Sequence, residues 1–332
     1  DGENGLNTGL ADLTLNGPVN ILSGGILSTG GTISFGAGAG ETSFANGMSG
    51  MLMKDSTLDL QTDLSVSWLE LSGESASFSS NGNTLKISNG LDIGGVELDF
   101  TDITTDNETY LNLVSDASLT KTGGLTLRQI DLKGYTLTLN QNITSLTANN
   151  IYFPDFNDSS PNYMLNTGKF KAEGVAVILR KMMYLNTGTM VMGGGKLTLE
   201  KGGFLQENAE LDLTDSTLEL AGPFYNSQAA GTLTTSASTL SLKSNVKFEP
   251  GNNATFETYE PNGWGMVLHN DSENSSETIN LSLGTTGVDL IIEPNTESLT
   301  SGFVNYYSNE DGAVLDTNSH GIGVKSYGVG FS

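Results

Sequence analysis

The sequence predicts an all-β chain wound as a right-handed parallel β-helix, a β-solenoid of about fourteen coils of roughly 22 residues with loop excursions. Three observations point there. Apolar doublets recur at a nearly fixed interval: Val175/Val177, Leu197/Leu199, Leu218/Leu220 and Leu240/Leu242 are separated by 22, 21 and 22 residues. Each doublet places two side chains on one face of a strand and the residue between them on the other. A unit this short cannot bury its own apolar face, so it must stack on copies of itself. The composition agrees, with 42 Gly, 7 Pro, no Cys and 36% apolar residues, a mixture suited to many short strands joined by polar corners. Finally, helix signals are scarce. The best candidate, Lys171–Leu185 (KAEGVAVILRKMMYL), carries Gly174 and a β-branched run and reads as strand.

From the amino end the doublets thread as Leu13/Leu15, Ile33/Phe35, Met51/Met53, Leu69/Leu71, Leu91/Ile93, Leu111/Leu113, Ile130/Leu132 and Ile151/Phe153, with steps of 18 to 24 residues. Past Leu242 they continue through Met266/Leu268 and Val288/Leu290. At ~4.8 Å per stacked strand the expected rod is roughly 60–70 Å long. A second ladder follows: Leu58/Leu60, Ala76/Phe78, Val96/Leu98, Leu137/Leu139, Met183/Leu185, Leu211/Leu213 and Val246/Phe248. Between the two lie corners such as Gly94-Gly95, Lys133-Gly134 and Gly202-Gly203, where a bend needs glycine's backbone freedom.

Residues 1–300 therefore form one solenoid with two excursions, near 154–169 and near 257–277, where Pro and turn residues replace the alternation. Residues 301–332, Gly- and Ser-rich, are expected to cap the last open edge or to pair with a neighbouring chain.

Charge narrows the function. Lys and Arg total 14 against 38 Asp and Glu, a formal net charge of −24, which speaks against a nucleic-acid partner. No stretch reaches the ~18 continuous apolar residues of a membrane helix, so membrane insertion is not expected. The chain opens at Asp1 without a charged-then-apolar leader, as expected if a signal was removed or the chain is an excised piece. Two His and two Arg leave most acid-base and phosphate mechanisms without their usual participants. HExxH, a nucleophile elbow, a phosphate loop, the Gly-His-Gly signature and an Asp-Asp pair are all missing. No catalytic residue is assigned and an enzyme is not expected.

Three binding constellations stand out. Asp99, Asp102, Asp106 and Glu108 leave the VELDF strand into a loop, where hard oxygens offer a possible Ca²⁺ site, weighed against a solvated acidic corner. Lys169, Lys171, Arg180 and Lys181 gather four cations within 13 residues, suited to an acidic surface of another copy or an anionic glycan, weighed against simple charge balance. Tyr259, Trp264 and Tyr163, in the two excursions, offer flat rings for a polysaccharide.

The Thr/Ser/Asn/Gly-rich triplets GGTISF (Gly30–Phe35), GNTLKISNGLDIGG (Gly82–Gly95) and GGKLTLEKGG (Gly194–Gly203) resemble those of secreted bacterial β-helix surface proteins: autotransporter passengers, filamentous-haemagglutinin-like exoproteins and related adhesins. The likeness runs from about Leu13 to Ile292 and departs at Pro154–Lys169, a segment suited to a dedicated binding site. The resemblance implies secretion or cell-surface display, with adhesion or assembly into a filament or layer, and no catalytic residue. The expected function is thus a non-catalytic, structural or adhesive extracellular protein, self-associating or bound to a host or polysaccharide surface. The alternatives are a carbohydrate-binding adhesin and, behind it, a polysaccharide lyase or hydrolase.

Overall fold

A computed structural model of the chain describes residues 6–17, 25–36, 50–105, 107–140, 142–153, 168–206, 208–225 and 231–234 with their side chains. It adds the strand backbone at 20–21, 43–44, 226, 238–242, 247–249, 254–255, 266–270, 278–283, 290–291, 303–308, 315–316 and 330–331. Among these residues there is no helix, and the strands pair in parallel to form a β-solenoid of about nine turns. The expected count of fourteen draws also on doublets such as Val288/Leu290, of which Val288 is outside the described residues.

Why these segments become strands is visible in their burial. TISF, TLDL, TLTL, AVIL and KLTL each alternate half-exposed and buried positions, with Ile33 and the Leu, Val and Phe side chains inward and Ile178 outward. Lys171–Leu185 is divided between the strands Lys169–Lys171, Ala176–Leu179 and Met183–Leu185, as its β-branched run predicts.

The chain divides into two compact units, Asp1–Ile151 and Tyr152–Ser332. In the first, a long sheet stacks Ile26, Met51, Leu69, Leu91, Leu111 and Ile130 in register, all at most 2% exposed. A second sheet stacks Leu13, Ile33, Leu58 and Phe78, and a third stacks Leu98 on Leu119. The strands Leu64–Ser72 and Leu85–Gly94 pair along their length, with one bulge between Ile87 and Gly90, over a corner that the next coil makes with two separate strands, Ile103–Thr104 and Tyr110–Leu113.

In the second unit each coil gives one strand to each of three sheets. One row is Phe170, Met190, Leu211 and Leu233; another is Val177, Leu197, Leu218, Leu240 and Leu268; the third runs Met183, Gly203, Phe224 and Phe248.

The period read from the sequence holds, but parts of its threading do not. Leu13/Leu15 and Ile33/Phe35 stack on Leu58/Leu60, not on Met51/Met53. Met183 and Leu211, placed together in one ladder, occupy different sheets. Val177/Leu179, and not Val175/Val177, oppose Leu197/Leu199; likewise Phe78, and not Ala76, opposes Leu58. A shift by two residues keeps the same parity inward, so apolar alternation alone leaves it open and the corner conformation decides.

Those corners behave as expected. Gly95, Lys133, Gly134 and Gly202 all have positive φ, at 71°, 47°, 85° and 82°. At Gly202 a Cβ would lie 2.0 Å from the Pro223 carbonyl oxygen of the next coil, so only glycine fits there. Aspartates finish the corners. Asp12, Asp63 and Asp116 each accept an N–H at or just before the start of a strand one coil further on, from Thr32, Thr84 and Thr136 at 2.7, 2.8 and 2.7 Å. Asp99 and Asp212 accept the N–H two residues ahead, from Thr101 and Thr214, at 2.8 and 3.0 Å.

Leu197 is fully buried between Val177 and Leu218. Leu197→Ala is expected to cost about 2–5 kcal/mol, whereas Thr198→Ala, on the outer face of the same strand, stays within about 0.5 kcal/mol. Urea unfolding of both variants measures the contrast; equal costs would contradict the inward assignment.

Candidate functional site

The cationic residues are held by three different parts of a coil. Lys169 and Lys171 stand on the outer face of the Lys169–Lys171 strand, either side of buried Phe170. Arg180 and Lys181 are exposed in the corner after Leu179. Between the pairs lie a turn and the four-residue strand Ala176–Leu179, about 13 Å at ~3.3 Å per residue, so the four do not form one cluster.

Arg180 and Lys181 have other neighbours. Leu179 opposes Leu199 and Met183 opposes Gly203, both 20 residues apart, so the intervening corners have equal length, and by chain position Arg180 corresponds to Glu200 and Lys181 to Lys201, although Gly202 has a positive φ and its counterpart Met182 does not. Glu200 and Lys201 form the middle of a turn closed by the Gly202 N–H on the Leu199 carbonyl, at 3.3 Å. By chain position the first pair is of opposite charge and the second of like charge.

Three residues on, an aromatic ladder begins. Tyr184, Phe204 and Tyr225 are the middle residues of the triplets MYL, GFL and FYN, and they lie in register on three successive coils. Tyr184 and Phe204 stack with ring centroids 5.5 Å apart at 5°, and Phe204 and Tyr225 at 5.0 Å and 26°. Tyr184 is 47% exposed. In the sequence these residues stand as outward aromatics at the coil period, a signal separate from the inward apolar doublets.

The acidic set is engaged locally. Asp99 accepts from the Thr101 N–H and hydroxyl, the latter at 2.6 Å; Asp102 accepts from the Ser80 hydroxyl; Glu108 pairs with Arg128. Asp106 lies outside the described residues. Among the described residues no group of three or more His, Asp or Glu side chains is placed to hold a metal ion. Nearby, Lys121 donates to the Phe100 and Ile103 carbonyls at 3.2 and 3.4 Å; burial lowers its pKa below the usual lysine value, and the Asp99 charge opposes that.

Tyr163, Tyr259 and Trp264 also lie outside the described residues. Trp68 is within them, on the long sheet of the first unit. Its indole edges fill the space left by Gly50 and Gly90, its register partners on the coils before and after, where a Cβ would come within 2.5 and 2.7 Å of the ring. Tyr110 follows Gly90 in that row and carries Arg128 at 4.9 Å from its ring centroid. Two residues further along the same strands runs a polar row of Glu70, Asp92, Asn112 and Asp131, in register on successive coils. Asn112 donates to Asp92 at 2.6 Å and the Ser72 hydroxyl to Glu70 at 2.8 Å.

Comparison with known proteins finds no matching family model, no matching curated protein and no matching solved structure.

Two expectations follow from this geometry. Phe204→Leu keeps an apolar side chain but loses two ring contacts, and should cost about 1–3 kcal/mol. Tyr184→Leu then adds less in that background than alone, which a double-mutant cycle reads directly. Millimolar Ca²⁺ is expected to leave the melting temperature unchanged, because Asp99, Asp102 and Glu108 are turned to different partners; a clear rise would assign the loop a cation.

Proposed function

We propose that the chain is a non-catalytic extracellular surface protein, a right-handed solenoid scaffold secreted or displayed at the cell surface, and that it self-associates through its outer walls. The observation that carries this reading is the sorting of residues along most of the described triplets. Inward positions are apolar and buried through whole rows, while chemistry is left to the outward rows that repeat at the coil spacing. A surface of this kind presents the same feature every ~4.8 Å, which suits extended contacts with another periodic object. Self-association is favoured over polysaccharide binding by the one aromatic array described. In the Tyr184–Phe204–Tyr225 ladder the facing ring surfaces are taken by each other, whereas a pyranose needs an open ring face.

Electron microscopy and sedimentation of the purified chain over a concentration series test the proposal. Filaments or arrays that grow with concentration are expected. A chain that stays monomeric up to its solubility limit, or that releases sugar from polyuronates, would overturn it.

A further inference from the structure

Lys181 and Lys201 are an anomaly in a chain of net charge −24. They are exposed, they occupy corresponding corner positions on adjacent coils, and neither has a charged partner among the described residues. Like charges held on adjacent coils add to one local positive potential, which favours an acidic partner. Only three residues away begins the Tyr184–Phe204–Tyr225 ladder, so this wall of the second unit offers a row of positive charge beside a strip of aromatic edges.

The first unit carries the opposite arrangement. Glu70 and Asp92 are register partners on adjacent coils, they too lack a charged partner among the described residues, and they stand two residues beyond the row that holds Trp68 and Tyr110. Each wall thus holds an unneutralised like-charge pair next to aromatic surface, with opposite signs. Glu70 and Asp92 lie on stacked parallel strands, and Lys181 and Lys201 lie in the corners that join such strands on adjacent coils, so both pairs follow the coil spacing of ~4.8 Å and two successive charges on one wall can face two on the other.

We infer that the Lys181/Lys201 corner and its aromatic ladder dock on the Glu70/Asp92 wall of a second copy of the chain, an inference that rests on the self-association reading above. The contact joins different surfaces on the two copies, so one copy keeps its Glu70/Asp92 surface free and the other its Lys181/Lys201 surface. It neutralises both like-charge pairs at once, which neither wall can do alone. The occupant is a second copy and not an anionic glycan because the complementary row, with matching pitch and adjoining rings, is present on this chain.

The test is a charge swap read by sedimentation. Lys181→Glu with Lys201→Glu, and separately Glu70→Lys with Asp92→Lys, should each weaken self-association by at least about tenfold. Mixing the two variants should restore association, since each then supplies the sign that the other lost. The chain carrying all four substitutions should associate on its own. Circular dichroism of each variant checks that the coils are intact, and recovery on mixing cannot come from misfolded chains. Association of the wild-type chain should also fall as salt approaches ~1 M. Assembly that persists in both variants overturns this contact and leaves the self-association reading standing, whereas a wild-type chain that never assembles sinks both. Retention on an acidic polysaccharide that is lost with Lys181→Glu and Lys201→Glu, while assembly is unchanged, overturns the contact in favour of a glycan.

Discussion

The structure depends on one constraint: every coil must present its inward side chains directly beneath those of the next. Parallel strands at ~4.8 Å make each inward residue the neighbour of its own equivalents, so a row such as Val177, Leu197, Leu218 and Leu240 is a continuous column of apolar contact. A single coil has no hydrophobic core, and stability comes only from the interfaces between coils. The corners must therefore return the chain to the same place on every turn. That requirement selects glycine at positions such as 202, where the backbone needs a positive φ and the next coil's Pro223 carbonyl leaves no room for a side chain.

The same constraint accounts for part of the acidity. At some corners the N–H at or next to the start of a strand is bonded by a carboxylate of the previous coil, where other corners use a backbone carbonyl. Asp12, Asp63 and Asp116 reach across one coil to satisfy Thr32, Thr84 and Thr136. A carboxylate at the corner is thus a structural part, and its charge is a by-product. With Asp99 and Asp212 doing a local version of the same work, acidic residues near a bend do not by themselves imply a metal or a cationic ligand.

How much was legible in the sequence follows from which physical rule fixes each feature. Strand identity and the inward face were readable, because alternation with period two is imposed by strand geometry. The rung Leu69, Leu91, Leu111 and Ile130 is found as threaded. The assignment of doublets to sheets was not readable. Two-residue slips such as Val175 for Val177 cost nothing in alternation, and three sheets carrying the same kind of triplet cannot be told apart by hydropathy. The grouping of Lys169 and Lys171 with Arg180 and Lys181 came apart for a related reason: closeness along a chain that turns a corner every few residues says little about closeness in space, whereas residues one period apart are neighbours.

That reversal of what counts as near governs where function can be written on such a fold. On a globular domain a site is assembled from distant loops; here it is assembled from equivalent positions on successive coils, so substitutions act as rows. A single outward charge is worth little, typically under about 1 kcal/mol when paired at the surface. Two on adjacent coils, as at the exposed corner residues Lys181 and Lys201, add to one potential that a partner of opposite sign neutralises. Rings in register act within the chain: Tyr184, Phe204 and Tyr225 attract one another, tightening the coils while leaving their edges outward. A wall that sets a like-charged pair beside a self-cohering row is therefore stable as a column and still short of a partner, and the partner it lacks must repeat at the pitch of the column itself.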